Sequence, residues 1–269
     1  MQFQDKFDIT HFHTDHLYYP CVRRRRAPVL STLHGRLDIP DYQALDRVFS
    51  DLPVSSISDA QRRPLPLLNW WGTVHHGLPK GSLAHGRGCG GYLAFLGRIS
   101  PEKGIDHAVA IAHGTGLPLK VAAKVENIDR AYFDSIHHLF DSPLVEFVGE
   151  IGDSDKAAFL GDAAALLFPI RWPEPFGLVT IEAMACGTPI LAFRCGAVPE
   201  VIDDGVSGRV VDDIEQEVEA IGDVLALDRL RCRITFEKRF SACRMANDYL
   251  GLYRQMSPMT AEITMIQVN

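Results

Sequence analysis

The sequence predicts an α/β protein made of two domains, each with a parallel sheet and Rossmann-like alternation. Three observations predict it. Short apolar bursts of strand length alternate with helically spaced segments along most of the chain. That alternation breaks once, at a glycine-rich stretch over 77–91 that lacks apolar periodicity. The 269 residues exceed one small domain and suffice for two modest ones.

In the first domain, FDITHF (7–12) reads as a strand, 17–26 as a helix and PVLSTLH (28–34) as a second strand. DYQALDRVFSDL (41–52) has helical spacing, with Leu45, Val48, Phe49 and Leu52 on one side. PVSSIS (53–58) and NWWGTVHH (69–76) complete an open unit over 1–80 that is small for a domain. The segment 77–91 is expected to be a linker or an irregular hairpin. Beyond it, over 81–240, strands are expected at 92–97, 118–123, 144–149, 164–169, 189–193 and 208–211. Helices are expected between them at 102–113, 128–140, 153–161, 177–186, 197–203 and 214–227. This spacing implies right-handed βαβ crossovers. The remainder, 241–269, reads as a closing helix and tail.

Composition excludes several classes. Hydrophobic residues at 46% and charged residues at 23% are ordinary for a soluble globular chain, which can bury its cores without staples. A net charge of −7, from 27 basic and 34 acidic side chains, argues against a nucleic-acid binder. The six cysteines form no CxxC pair and no zinc-finger spacing, so they read as free thiols in a reducing cytosol. The N-terminus shows no basic-then-apolar signal, and no apolar run approaches a membrane span, so a cytoplasmic location is expected. Arg23–Arg26 form a basic run at a predicted helix end. It reads as a solvated terminus favoured by the helix dipole, with attraction to anionic lipid at the inner membrane face as the alternative.

In an open parallel sheet, ligands bind at the carboxyl ends of the strands. GRISPEKG (97–104) follows the strand 92–97. Ser100 is expected to cap a helix with Pro101 at its first position, and Arg98 and Lys103 beside that start suit a diphosphate. Taken alone, the two cations read more readily as solvated surface charges. FPIRWPEPFGLVTIEAMACGTP (168–189) places Glu174 in a proline-rich loop and Glu182 on the following helix, which is expected to stop at Gly187. Phe176, Gly177 and Leu178 present backbone N–H groups at that helix start, a second anion site. A loop carboxylate suits sugar hydroxyls, and one on the helix suits a ribose diol.

The order GRISPEKG, EPFGLVTIEAMACGTPILAF and GAVPEVIDDGVSG resembles the C-terminal domain of glycosyltransferase family 4, also called group 1, over about 91–256. The hallmark is two glutamates separated by seven residues, matched by Glu174 and Glu182. The resemblance implies a GT-B-like fold and a retaining, metal-independent transferase using a nucleotide-diphosphate sugar. Arg98 and Lys103 would hold the diphosphate, Glu174 the donor sugar and Glu182 the ribose, with the base near Val148–Ile151. More loosely, FDITHFHTD and PVLSTLHGR resemble strands of the family's first domain, with His34 facing the donor sugar and His11 and His13 as weaker candidates. The family's glycine-rich loop after a first strand has no counterpart before Phe7, so an incomplete N-terminal domain is expected.

The expected function is transfer of a hexosyl group from a UDP- or GDP-sugar to an acceptor hydroxyl on a sugar, lipid-linked sugar or small molecule. No further cofactor, no metal and no nucleic acid is expected, and a second copy of the chain would cover bare strand edges. Two other readings stay open: a truncated module that binds the nucleotide sugar without turnover, and a sugar-nucleotide epimerase on the same fold.

Overall fold

The computed structural model describes residues 7–14, 19–22 and 28–257, except the side chains of Cys21 and Asp46. The chain forms two compact units, residues 1–75 with 243–269, and residues 76–242. The basic run Arg23–Arg26 lies outside the described residues. No helix among the described residues is long and apolar enough to cross a membrane.

The first unit runs β1 (Thr10–Phe12), α1 (Tyr19–Val22), β2 (Val29–Thr32), α2 (Pro40–Val48), β3 (Val54–Ser56), α3 (Asp59–Arg62) and β4 (Trp70–Thr73). Its strands are all parallel, in the order β1-β2-β3-β4. Successive side chains of a strand point to opposite faces, so β2 feeds two cores. Val29 joins Tyr19, Leu33, Leu52 and Val54 on one face. Leu30 joins Val74 and Leu252 on the other, where the C-terminal helix Ala242–Met256 lies. That helix therefore completes the first unit.

Two local expectations change here. Val48 is 55% exposed, so it does not belong to the buried stripe expected for 41–52. The helix ends at Val48, and Phe49 has left helical dihedrals at φ −112°, so the 3.6-residue spacing no longer fixes where these side chains point. Phe49 instead packs on the Tyr19 ring, 5.4 Å between centroids. The second change is α3, which the apolar pattern does not announce. Its start is set by Ser58, whose hydroxyl accepts from Gln61 N–H at 3.0 Å.

The second unit runs β5 (Leu93–Arg98), a 3-10 turn (Pro101–Lys103), α4 (Ile105–Thr115), β6 (Leu119–Lys124), α5 (Arg130–Ile136) and β7 (Val145–Gly149). It continues through α6 (Asp153–Asp162), β8 (Ala165–Phe168), α7 (Leu178–Ala185), β9 (Ile190–Phe193), α8 (Val198–Val201), β10 (Gly208–Val211), α9 (Ile214–Leu225) and α10 (Arg229–Arg239). Six parallel strands are ordered β10-β9-β8-β5-β6-β7. The interior strands β8 and β9 are buried at every position, as their unbroken apolar runs ALLF and ILAF require of a sheet covered on both faces. The chain winds outward from β5 in one direction, then returns to β8 and winds outward in the other. Such a reversal opens a crevice at the carboxyl ends of its two central strands, here β5 and β8.

The stretch 77–91 contains no helix or regular strand and packs within this unit. Gly88 N–H and Gly90 N–H donate to Gly161 O and Asp162 O, both at 2.9 Å. Arg229 on α10 reaches the same end of α6, donating to Gly161 O at 2.8 Å, Ala163 O at 3.0 Å and the Thr188 hydroxyl at 2.9 Å. Ser100 does not cap a helix with its side chain. Only a 3-10 turn forms at Pro101–Lys103, because Gly104 adopts φ +70° and resets the chain before α4 begins at Ile105.

Glu217, on α9, is fully buried, and neither carboxylate oxygen has a hydrogen-bond partner among the described residues. Burial, reinforced by the Asp213 carboxylate, pushes its pKa from 4.5 up to about 8. The folded chain therefore holds a proton that the unfolded chain releases between these values, and stability falls as pH rises through that window. The slope is up to about 1.4 kcal/mol per pH unit. Glu217→Gln is expected to remove this decline. Thermal melts should show variant and parent close together near pH 5 and the variant more stable near pH 8; parallel pH profiles would contradict the assignment.

Candidate functional site

The crevice between β5 and β8 is lined by the loops that leave those strands. Gly104 and Pro169 touch across it so closely that any side chain at position 104 would run into Pro169 O. Arg171 N–H donates to Glu102 O at 2.9 Å, and the Arg171 guanidinium pairs with Asp106. The 169–177 loop is thus fastened to the 3-10 turn on one side. On its other side lies Gly196, at φ +57°, where a side chain would run into the backbone of Glu174. Ala197 N–H donates to Glu174 O at 2.9 Å, and the Cys195 thiol donates to Trp172 O at 2.9 Å.

Held between these contacts, Glu174 Oε2 accepts from Lys103 Nζ at 2.7 Å. The two side chains are only 12% and 23% exposed, so the pair is partly withdrawn from water. Lys103 also sits over the Trp172 ring, 5.1 Å from its centre. Arg98 lies among three carboxylates: Glu102 at 2.7 Å, Asp129 at 3.2 Å and Glu126 at 3.5 Å. Burial works against its charge, but these carboxylates outweigh it and raise its pKa.

Gly177 stands before α7 with φ +85°, turning the chain into the helix, while Phe176 is buried against His76 and Phe240. The N–H groups of Leu178 and Val179 open α7 and have no acceptor among the described residues. The Leu178 side chain is 48% exposed. Glu182, further along α7, lines a cavity of about 260 Å³ at the carboxyl ends of β5, β6 and β7. Gly97, Ala123, Ile151, Lys156 and Val179 are among its other walls. Val148 is half-exposed on β7 and is not one of them.

The structure therefore brings Lys103 to Glu174, and Ile151 to Glu182, as neighbours of one crevice. Lys156 was not legible as part of it. Its local signal is only an Asp153 three residues earlier, whereas its closer partner, Glu182 at 2.8 Å, is 26 residues away. The Asp153-Ser154-Asp155 triplet is spelled like the metal-binding Asp-x-Asp signature. It occupies the first turn of α6, where acids favour the helix dipole and Asp153 lies 3.2 Å from Lys156.

The histidines singled out in the first domain converge in the first unit. His13 Nδ1 and His34 Nε2 are 2.9 Å apart. His11 hydrogen-bonds the Tyr253 hydroxyl at 2.6 Å and the Thr32 hydroxyl at 2.8 Å. Burial, with His13 and His34 adding to it, pushes the His11 pKa down to about 3, and burial lowers that of His13. His11 is thus neutral throughout the physiological range.

Residues 90–239 match the family described as Glycosyl transferases group 1. D-inositol 3-phosphate glycosyltransferase from Mycolicibacterium smegmatis is 35% identical over 147 residues, covering 49% of this chain and 32% of that protein. The chain spans between about a third and a half of the length of the curated relatives it matches. Sucrose-phosphate synthase from Thermosynechococcus elongatus superimposes with a TM-score of 0.79 at 19% identity, over 95% of this chain and 75% of that one. HepE from Anabaena, solved in complex with UDP, superimposes with a TM-score of 0.80 at 17% identity, over 94% of this chain and 80% of that one. At these identities the two structures establish a shared fold, that of the GT-B glycosyltransferases.

Gly196→Ala tests how the Glu174 loop is held. A Cβ in this left-handed conformation and against Glu174 is expected to destabilise the chain by about 1–3 kcal/mol. Urea denaturation measures it, and an unchanged midpoint would show that the loop is not wedged there.

Proposed function

The chain belongs to the group 1 glycosyl transferases, and from that premise we propose that it moves a hexosyl group from a UDP- or GDP-sugar to an acceptor hydroxyl, with retention of anomeric configuration and without a metal ion. The observation that carries the reading is the contact of Lys103 with Glu174, a cation and a carboxylate 71 residues apart that meet in the crevice of the second unit.

Cleavage of a sugar–phosphate bond places positive charge on the sugar and negative charge on the departing diphosphate. Lys103, Arg98 and the open N–H groups of Leu178 and Val179 supply fixed positive charge and dipoles for that leaving group. An entering diphosphate competes with Glu174 for Lys103, and this frees the carboxylate to accept from sugar hydroxyls. Glu174 then works by orientation, not by proton transfer. Glu182 accepts from the ribose, and Ile151 borders the space for the base.

Incubation with UDP-, GDP- and ADP-hexoses and a panel of hydroxyl acceptors tests the reading, with product configuration read by NMR. A product of retained configuration, formed at the same rate in EDTA, is expected. An inverted product, or loss of turnover in EDTA, would overturn the corresponding part. Lys103→Ala should lower kcat/KM by about a hundredfold or more, and Glu174→Gln should depress turnover without weakening affinity for the nucleoside diphosphate, since Lys103 then loses its competing carboxylate.

A further inference from the structure

The cavity beside α7 holds a charged pair of which the proposed reaction uses only the carboxylate, Glu182. Lys156 Nζ donates to Glu182 Oε1 at 2.8 Å, and a second carboxylate, Asp153, stands 3.2 Å from the same ammonium. Lys156 and Glu182 are 21% and 17% exposed, and both line the cavity. Among the described residues, no donor reaches Glu182 Oε2. One oxygen of this carboxylate is thus fixed by the protein and the other is left as an acceptor.

The chemistry of such an arrangement is specific. A lone carboxylate on a helix rotates among several orientations and accepts from whatever donor arrives. A carboxylate anchored at one oxygen presents the other in a set direction, and an ordered acceptor discriminates more sharply between a ligand that carries the matching hydroxyl and one that lacks it. The ammonium holds its charge: burial pushes the Lys156 pKa down, but the Glu182 and Asp153 carboxylates outweigh this and raise it. The anchor is therefore present throughout the neutral range.

We propose that Lys156 is a positioning residue that aims Glu182 at the sugar of the nucleotide, so that the site selects ribonucleotides over 2′-deoxyribonucleotides. This deepens the donor-site reading and rests on it. Lys156 acts through Glu182 and is not required to touch the ligand.

The test is calorimetric titration of the full chain with UDP, GDP and ADP, then with the 2′-deoxy counterpart of whichever binds most tightly. The parent should prefer the ribonucleotide by about tenfold or more, as expected for a hydrogen bond to a charged group. Lys156→Met should bind the ribonucleotide more weakly and bring the ribo-to-deoxy ratio towards one, while Lys156→Arg should keep the parent's ratio. A merely structural lysine would lower both affinities together and leave the ratio unchanged, and that outcome would overturn the proposal. If Lys156→Met does not fold, Lys156→Gln takes its place, with thermal melts confirming the fold. A parent that binds the ribonucleotide and its deoxy form equally would overturn this inference and leave the donor site standing. A parent that binds no nucleotide would overturn both.

Discussion

The reversal of strand order between β5 and β8 is the constraint on which the site depends. Neighbouring loops in a parallel sheet normally leave on the same side, carrying their helices with them. Only at a reversal do two adjacent strands send their loops apart and leave a crevice between them. Here those loops carry Lys103 and Glu174, and sequence distance ceases to matter once β5 and β8 pair. Gly104 and Gly196 then set how closely the surrounding chain approaches, because each occupies a place where a side chain would run into backbone.

Charge is compensated internally throughout this crevice. Lys103 pairs with Glu174, Lys156 with Glu182, and Arg98 with three carboxylates. Partly buried cations need such partners, since an unpaired charge withdrawn from water costs several kcal/mol. On the proposed reading, the same pairing prepares the crevice for an anionic ligand. Negative phosphate oxygens can replace carboxylates at the cations, and the released carboxylates become acceptors for hydroxyl groups. The two glutamates differ in this respect. Each side chain accepts from a lysine, but on the proposed reading Glu174 exchanges Lys103 for sugar hydroxyls while its backbone contacts hold the loop, whereas Glu182 keeps Lys156 and offers its second oxygen.

Most of the second unit was legible because its signals are local. Apolar runs such as ALLF and ILAF mark strands buried on both faces, and the proline-rich loop followed by Gly177 marks where α7 must begin. Other features depend on contacts between distant segments and leave little local trace. Val48 fits the periodic stripe of its helix, yet the helix ends there and the next residue turns to Tyr19. Ser100 and Pro101 spell a helix start, but Gly104 is needed against Pro169 and breaks it. The C-terminal helix carries an apolar face without saying which sheet will receive it, and that face meets Leu30 and Val74 in the first unit. Lys156 looks like a solvated helix residue until α6 and α7 are packed together.

On the proposed reading, the second unit holds a nucleoside diphosphate with its own cations and helix N–H groups. Calorimetric titration of the chain with UDP, GDP and ADP, each with and without EDTA, tests it most directly. Saturable binding of one nucleotide with the same affinity in both buffers is expected. Binding that disappears in EDTA, or no binding to any of the three, would contradict it.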